Sequence, residues 1–179
     1  METKDKIYDF ISIGGGAAGF FGAINVQKLS SKDLKVAIVE SSSSYLRKVK
    51  ISGGGRCNVT NACTNPKELI QNYPRGGRNL LNSFYSFGTE DMVSWLSENG
   101  VATHTEADGR MFPRSNKSET IIKCFIKLCE KHRVEILGST PILSITKEES
   151  FFLLKSKDSS LKSKQILIAT GSSAKGHSL

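Results

Sequence analysis

The stretch Ile7–Glu40, IYDFISIGGGAAGFFGAINVQKLSSKDLKVAIVE, decides the fold. Its first seven residues are rich in β-branched and aromatic side chains and stop at three glycines, as a buried strand of a parallel sheet does. The next six, GGGAAG, put Gly14, Gly16 and Gly19 at the fixed positions of GxGxxG. Gly14 permits a tight strand-to-helix turn, Gly16 lets backbone approach a pyrophosphate, and Gly19 lets the helix pack on the strand. Residues 17–29 read as that helix, whose amino end offers N–H groups and a partial positive charge to a diphosphate at Ala17 and Ala18. A second buried strand, Leu34–Val39, ends at Glu40, about 20 residues beyond the last motif glycine, where an acid accepts hydrogen bonds from ribose hydroxyls and repels the extra phosphate of NADP. Strand, turn, helix, strand and acid in register predict a dinucleotide-binding βαβ unit.

Working outward, Ile51–Asn61, ISGGGRCNVTN, places Ser52, Gly53, Gly54 and Gly55 before Arg56, Cys57 and Asn58. Such a loop can form an anion nest of backbone N–H groups with Arg56 adding charge-assisted hydrogen bonds, and it favours FAD over a plain nicotinamide site. Cys57 reads as a small packing residue, since nothing in the spacing pairs it with Cys63. The 179 residues carry 25 basic and 17 acidic side chains, a net charge of +8, with 38% hydrophobic residues and 4 cysteines. That composition excludes disordered, collagenous and disulfide-scaffold classes and leaves a globular chain. The scattered cations read as a solvated basic surface with a small-molecule substrate, and no nucleic-acid partner is expected. No run is long and apolar enough for a membrane span, the amino terminus lacks a secretory h-region, and the cysteines show no framework, so a cytoplasmic protein without a membrane partner is expected. His104, His132 and His177 have no ligand spacing, and no metal is expected; no residue stands out as an acid–base catalyst.

Residues 65–133 read as a mainly helical insertion between a first part, 1–64, and a return to the nucleotide fold over 134–179. Thr89 is the expected N-cap of a helix carrying Glu90 and Asp91 in its first turn, with Trp95 in the core, and Ser118–Arg133 forms a second helix. In GRMFPRS, Gly109–Ser115, Pro113 forbids a central strand position, and Arg110 or Arg114 is a candidate for facing an anionic group. Strands follow at Val134–Leu137, Ile142–Ile145, Phe151–Lys155 and Gln165–Thr170.

Taken together, GGGAAG, Glu40, KxxSGGGRCNxTN from Lys50 to Asn61, GRMFPRS and ILIATG from Ile166 to Gly171 resemble the bacterial BaiN/YhiN-type flavoproteins, described as NAD(P)/FAD-dependent oxidoreductases and aminoacetone oxidase-like. The resemblance implies an α/β, Rossmann-like three-layer FAD domain of the glutathione-reductase type with a small helical insertion. It implies bound FAD, NAD(P)H as electron donor, contacts from Lys50 and the glycine loop, a backbone pairing of Ile142 with adenine, and Ala169, Thr170 and Gly171 beneath the cofactor. It also implies a product lacking the C-terminal part, since family members carry a further lobe and a returning FAD-domain segment after the ATG strand; separately, Ser172–Lys175 stands where they have a longer small-residue loop at the last flavin contact. The rivals are an NAD(P)-binding dehydrogenase, a tRNA-modifying flavoprotein and an inactive FAD-binding fragment.

Overall fold

The computed structural model describes residues 6–171, so Ser172–Lys175 and His177 lie outside the described residues. The first half of the chain runs β1 (Ile7–Ile13), α1 (Ala17–Leu29), β2 (Val36–Val39), α2 (Arg47–Gly55), β3 (Thr60–Asn61), α3 (Pro66–Leu69), a 3-10 turn (Ile70–Asn72) and α4 (Gly77–Ser86). It continues with α5 (Thr89–Glu98), β4 (Thr103–Thr105), β5 (Arg110–Pro113), α6 (Ser118–Lys131), β6 (Glu135–Leu137), β7 (Ser144–Lys147), β8 (Phe152–Lys155) and β9 (Ser160–Ile168). The chain divides into two compact units, 1–48 with 125–179, and 49–124.

In the first unit β1 lies between β2 and β9, and the sheet order is β6-β2-β1-β9-β8-β7. The pairs β1·β2, β1·β9 and β2·β6 are parallel, with Ile11 opposite both Ala37 and Ile166. A parallel strand is covered on both faces, which is why all four residues of β2 are buried and why its sequence is a continuous apolar run. Phe20, Ala23 and Ile24 of α1 are fully buried on one side, where Gly22 is so close to Leu167 that a Cβ would stand 2.6 Å from its Cδ2. On the other side Ile11, Ile13, Ala37 and Val39 pack with Leu154, Phe152 and Leu161 of the antiparallel β7–β8–β9 meander. Helix, parallel sheet and meander make the three layers expected from the sequence. The small antiparallel layer is nevertheless hydrogen-bonded into the main sheet, because the nine-residue β9 runs through both and begins five residues earlier than its apolar run suggests.

Ser12, in β1, is fully buried and its hydroxyl has no hydrogen-bond partner. A buried, unsatisfied hydroxyl costs about 1–3 kcal/mol, so Ser12→Ala is expected to raise stability by about 1 kcal/mol and shift the thermal midpoint upward. An unchanged or lowered midpoint would mean that the hydroxyl is satisfied in solution.

The second unit holds α3, the 3-10 turn, α4, α5 and a small antiparallel sheet of order β3-β5-β4. Trp95, Leu96 and Phe112 are buried in it, so Trp95 is core as expected. Two local expectations are corrected. Pro113 does occupy the central strand, β5, but as its last residue. Arg114 N–H donates to Ala102 on the β4 side, so by alternation the nitrogen of Pro113 faces the β3 side, where β3 pairs only with Arg110 and Met111 and no ladder bond is lost. The N-cap of α5 is Gly88, one residue earlier than Thr89. Asp91 accepts the Gly88 N–H at 2.6 Å, while the Thr89 hydroxyl is buried and donates to the Cys63 carbonyl at 3.0 Å. A fixed tertiary acceptor thus displaces the local capping role.

Candidate functional site

The carboxyl ends of β2, β1 and β9 meet around the glycine turn. The chain leaves β1 toward β2 and β6 on one side and returns as β9 on the other, and this reversal is where α/β sheets open a ligand crevice. Gly14 has φ +115, and a Cβ on it would lie 2.3 Å from the Ala169 carbonyl oxygen, so only glycine allows β1 and β9 to end side by side. A Cβ on Gly19 would stand 2.0 Å from the Gly14 carbonyl oxygen, the close helix–strand contact the motif requires. At Gly16 nothing stands within 4 Å of the same position. Its φ of −90 suits any residue, so neither strain nor protein contact explains a glycine there.

The helix start is equally open. Gly16 supplies no capping side chain, the first turn of α1 contains no acid, and Ala17 and Ala18 are exposed. The first N–H groups of a helix have no partner inside it, and here no side chain takes them, so they and the positive end of the dipole face outward.

Glu40 bonds back to this turn. Its Oε2 accepts the Gly15 N–H at 2.8 Å, and its Oε1 accepts the Ser42 N–H at 2.9 Å and the Ser41 hydroxyl at 3.0 Å. The Ser42 hydroxyl lies 3.1 Å from Oε1 and is shared with the Ser44 carbonyl. Burial alone would raise this carboxyl, but the hydrogen bonds from Ser42, Gly15 and Ser41 outweigh it and hold the pKa below the ordinary carboxylate range. A carboxylate offers about four acceptor sites, so Oε2, which accepts the Gly15 N–H, keeps a second site. Because the folded pKa is depressed, the stabilisation by Glu40 is fully present above the unfolded value of about 4.3 and is lost as pH falls through the folded value. Glu40→Gln is expected to cost about 1–3 kcal/mol at pH 7, since its NH₂ would meet N–H and O–H donors, and to flatten that acid limb in urea titrations across pH. An unchanged limb would mean that these bonds do not persist.

The serine run after Glu40 is the part of the site that sequence reasoning missed. Besides the Ser41 and Ser42 bonds, Leu46 donates its N–H to the Gly15 carbonyl at 2.7 Å, bracing the turn from below. Leu46 is buried with φ +56, a conformation rare for a branched side chain. Four consecutive serines ahead of an apolar residue were the available signal, since each can bond a neighbouring carboxylate or carbonyl. On the β9 side, Ala169 donates its N–H to Ile13 at 2.8 Å, and Gly171 has φ +72 with the Lys48 ammonium 3.5 Å from where its Cβ would be. Ile142 is half-buried against the core beneath the meander. The first unit therefore brings Gly14, Gly16, Ala17, Ala18, Gly19, Glu40, Ala169, Thr170 and Gly171 to one edge.

The remaining candidates lie in or next to the second unit and are described within it. Gly53, Gly54 and Gly55 all have positive φ, so the loop is built from left-handed residues and leaves helical geometry inside α2. A Cβ on Gly53 would stand 2.9 Å from Phe112 Cε1. Lys50 is exposed and its carbonyl accepts the Ser118 hydroxyl at 2.8 Å, while the Ser52 hydroxyl donates to the Val49 carbonyl at 2.9 Å. Arg56 is paired with Glu106 and stacks 4.0 Å over the Phe112 ring, so its guanidinium is held by protein, contrary to a freely reaching anion clamp. Arg110 is likewise held, by Asp108 at 2.6 Å and Glu106 at 3.4 Å. Asn58 is exposed, and the Asn61 side-chain oxygen accepts the Cys63 N–H at 2.8 Å. Cys57 is buried with φ +63, and burial pushes its thiol up, away from the thiolate that redox exchange needs. All four cysteines are free. Among the described residues no cluster of His, Cys, Asp and Glu could hold a metal, and no helix is long and apolar enough to cross a membrane.

The chain is similar to known proteins. The chain is 28% identical over 164 residues to the ribosomal RNA dihydrouridine synthase of Escherichia coli (strain K12), covering 92% of this chain and 39% of that protein. It is 24% identical over 162 residues to the 3-dehydro-bile acid delta(4,6)-reductase of Clostridium scindens, covering 90% of this chain and 38% of that protein. It thus spans about two-fifths of the length of these curated relatives. Among solved structures, the open conformation of a flavocytochrome c3 fumarate reductase superposes with a TM-score of 0.69 at 18% identity, over 94% of this chain and 34% of that one. The 3-ketosteroid-delta4-(5alpha)-dehydrogenase from Rhodococcus jostii RHA1 gives 0.68 at 15% identity, over 94% and 46%. Both likenesses show the fold. Through residues 8–177, matched by the model for the HI0933-like protein Rossmann domain, the chain belongs to that family, an FAD-binding Rossmann type, as its motifs indicate.

Proposed function

We propose that this chain is the FAD-holding part of an NAD(P)/FAD-dependent oxidoreductase that works in the cytoplasm. One observation carries the reading: the open space at Gly16 stands beside an uncapped helix start and a carboxylate with a spare acceptor, the donors and acceptor that an adenosine diphosphate unit needs. The N–H groups at Gly16, Ala17 and Ala18 would hold the pyrophosphate, and the free site of Glu40 Oε2 would take ribose hydroxyls. Gly14 and Gly19 hold the turn itself, and the backbone at Ala169, Thr170 and Gly171 borders the same edge. Bound flavin supplies hydride or electron transfer at its isoalloxazine, while the residues named here orient it and keep its anionic diphosphate neutralised. Lys50, Ser52, Gly53, Gly54, Gly55, Arg56, Cys57, Asn58 and Ile142 are assigned to FAD on the strength of the family motifs.

The names of the two curated relatives favour one substrate chemistry. Dihydrouridine formation and a delta(4,6)-reduction both saturate a ring carbon–carbon double bond conjugated with a carbonyl, and we extend that class to this protein, with an RNA base as the substrate because the more similar relative acts on ribosomal RNA. The test is an absorption spectrum of the purified protein with the mass of whatever heat releases from it. Flavin bands and the mass of FAD are expected. A colourless protein that tightens on NAD and ignores FAD would instead make it a nicotinamide-binding dehydrogenase domain.

A further inference from the structure

The cations that look scattered along the sequence are gathered by the parallel fold at the edge of the first unit opposite the glycine turn. Lys6 precedes β1, Lys32 and Lys35 precede β2, and Lys131 and Arg133 precede β6. Because β9 is parallel to β1 in the register Ile7 to Lys162, Lys162 and Lys164 stand at the same level, and Lys28 arrives there at the end of α1. Contacts along this edge tie it together. Lys6 reaches past the start of β2 to Glu135, Lys164 meets Asp9 at 2.8 Å, and Arg133 meets Asp33 at 3.3 Å.

The carboxylates there do not neutralise it. Asp9, Asp33 and Glu135 each already hold one of these cations, and Glu130 is the remaining acid beside Lys131. Lys32, Lys35 and Lys131 are exposed in addition. Cations at helix ends are common, since they complement the dipole, and that explains Lys28 and Lys131. It does not explain Lys32, Lys35, Lys162 or Lys164, which lie on a loop and on strands. Toward its β6 end is an open depression of about 270 Å³ lined by Gln27, Lys28, Asp33, Lys131, His132 and Arg133. Burial and the charges of Lys131 and Lys28 push the pKa of His132 down, as a site of net positive potential does.

We propose that this edge docks a double-helical segment of RNA through its phosphate backbone. Several lysines facing one way without exposed aromatic rings among them suit a sequence-independent phosphate contact, whereas single-stranded binding needs stacking platforms. Tyr8, whose ring lies 4.6 Å from the Lys6 ammonium, is buried, and Phe151, 5.4 Å from the Lys162 ammonium, is half-buried. Seven residues of β1 separate the patch from the glycine turn, about 20 Å at the usual rise of a strand, so docked RNA and bound dinucleotide would not compete. The phosphate backbone is argued from the patch alone, and the choice of RNA over DNA rests on the substrate reading above. This departs from the sequence expectation of no nucleic-acid partner, which saw the charges but not the edge that collects them.

The test is fluorescence anisotropy of a labelled RNA hairpin against the 179-residue chain over a salt series, with a DNA duplex of the same stem and anionic phosphatidylserine vesicles as the other probes. In one patch variant three lysines are changed together: Lys32→Gln, Lys35→Gln and Lys131→Gln. A control carries Lys67→Gln, Lys117→Gln and Lys123→Gln, all exposed in the second unit. The patch variant is expected to bind RNA at least about tenfold more weakly at low salt and to lower the slope of log K against log salt by about 3, near 0.9 per lost phosphate contact, with the control unchanged. RNA is expected to bind at least as tightly as DNA. No RNA binding at low salt, equal loss in the control, tighter binding to DNA, or binding to vesicles alone would each overturn the proposal. Thermal melting of each variant checks folding without reference to FAD, so failure here and failure of the flavin reading are separate results.

Discussion

Gly16→Ala is expected to leave the apoprotein as stable as the parent while weakening FAD binding at least about 100-fold, or about 2.7 kcal/mol. The two halves of this expectation come from one fact. The new methyl group would meet no protein atom within 4 Å and sits on a backbone that alanine adopts freely, so the fold loses nothing. It would, however, fill the space over the start of α1 where a pyrophosphate must come close enough to accept N–H bonds. Matched thermal melts and flavin titrations of the two proteins measure both halves. A destabilised apoprotein, or unchanged FAD affinity, would show that Gly16 serves the turn and not the ligand.

Gly19→Ala is expected to do the reverse and strike the fold first. Its methyl group would stand 2.0 Å from the Gly14 carbonyl oxygen and 2.9 Å from the Ser12 hydroxyl. The first of these is backbone at the end of the central strand and cannot rotate away, so α1 must lift off β1 along the contact that buries Phe20, Ala23 and Ile24. Overpacking of this kind costs about 3 kcal/mol, a large share of the 5–15 kcal/mol that holds a typical domain. Urea denaturation of the apoprotein should show the midpoint displaced to lower urea. FAD binding should fall in proportion to the unfolded fraction, because ligand linkage draws only on the native state. A midpoint equal to that of the parent would mean that helix and strand are not packed as described.

The contrast between these glycines shows what the sequence made legible. GxGxxG fixes three positions, and the structure gives each a separate reason: strand ends side by side at Gly14, open space at Gly16, helix on strand at Gly19. The parallel pairing of β1 with β2 and β9, and of β2 with β6, was readable because buried parallel strands are continuous apolar runs. Less was readable where a tertiary partner decides the outcome. Thr89 has the chemistry of an N-cap but spends its hydroxyl on Cys63, and Pro113 is admitted to a central strand because β3 is too short to reach it. Arg56 sits in the most specific motif, yet Glu106, fifty residues away in the chain, holds its guanidinium. The serines after Glu40 were a signal that went unread for the opposite reason, since a serine run is compositionally a loop and gains meaning only when the carboxylate it surrounds is seen. The cationic edge likewise depends on strand order, which no local pattern encodes.

The most direct test of the account is backbone hydrogen exchange of the chain with and without saturating FAD, followed by mass spectrometry of peptides. Amides of residues 14–19 and of the Glu40–Leu46 segment are expected to gain protection together, because one ligand would occupy the helix start and brace the carboxylate and its serines. FAD bound to the protein while both segments exchange as fast as in its absence would contradict it.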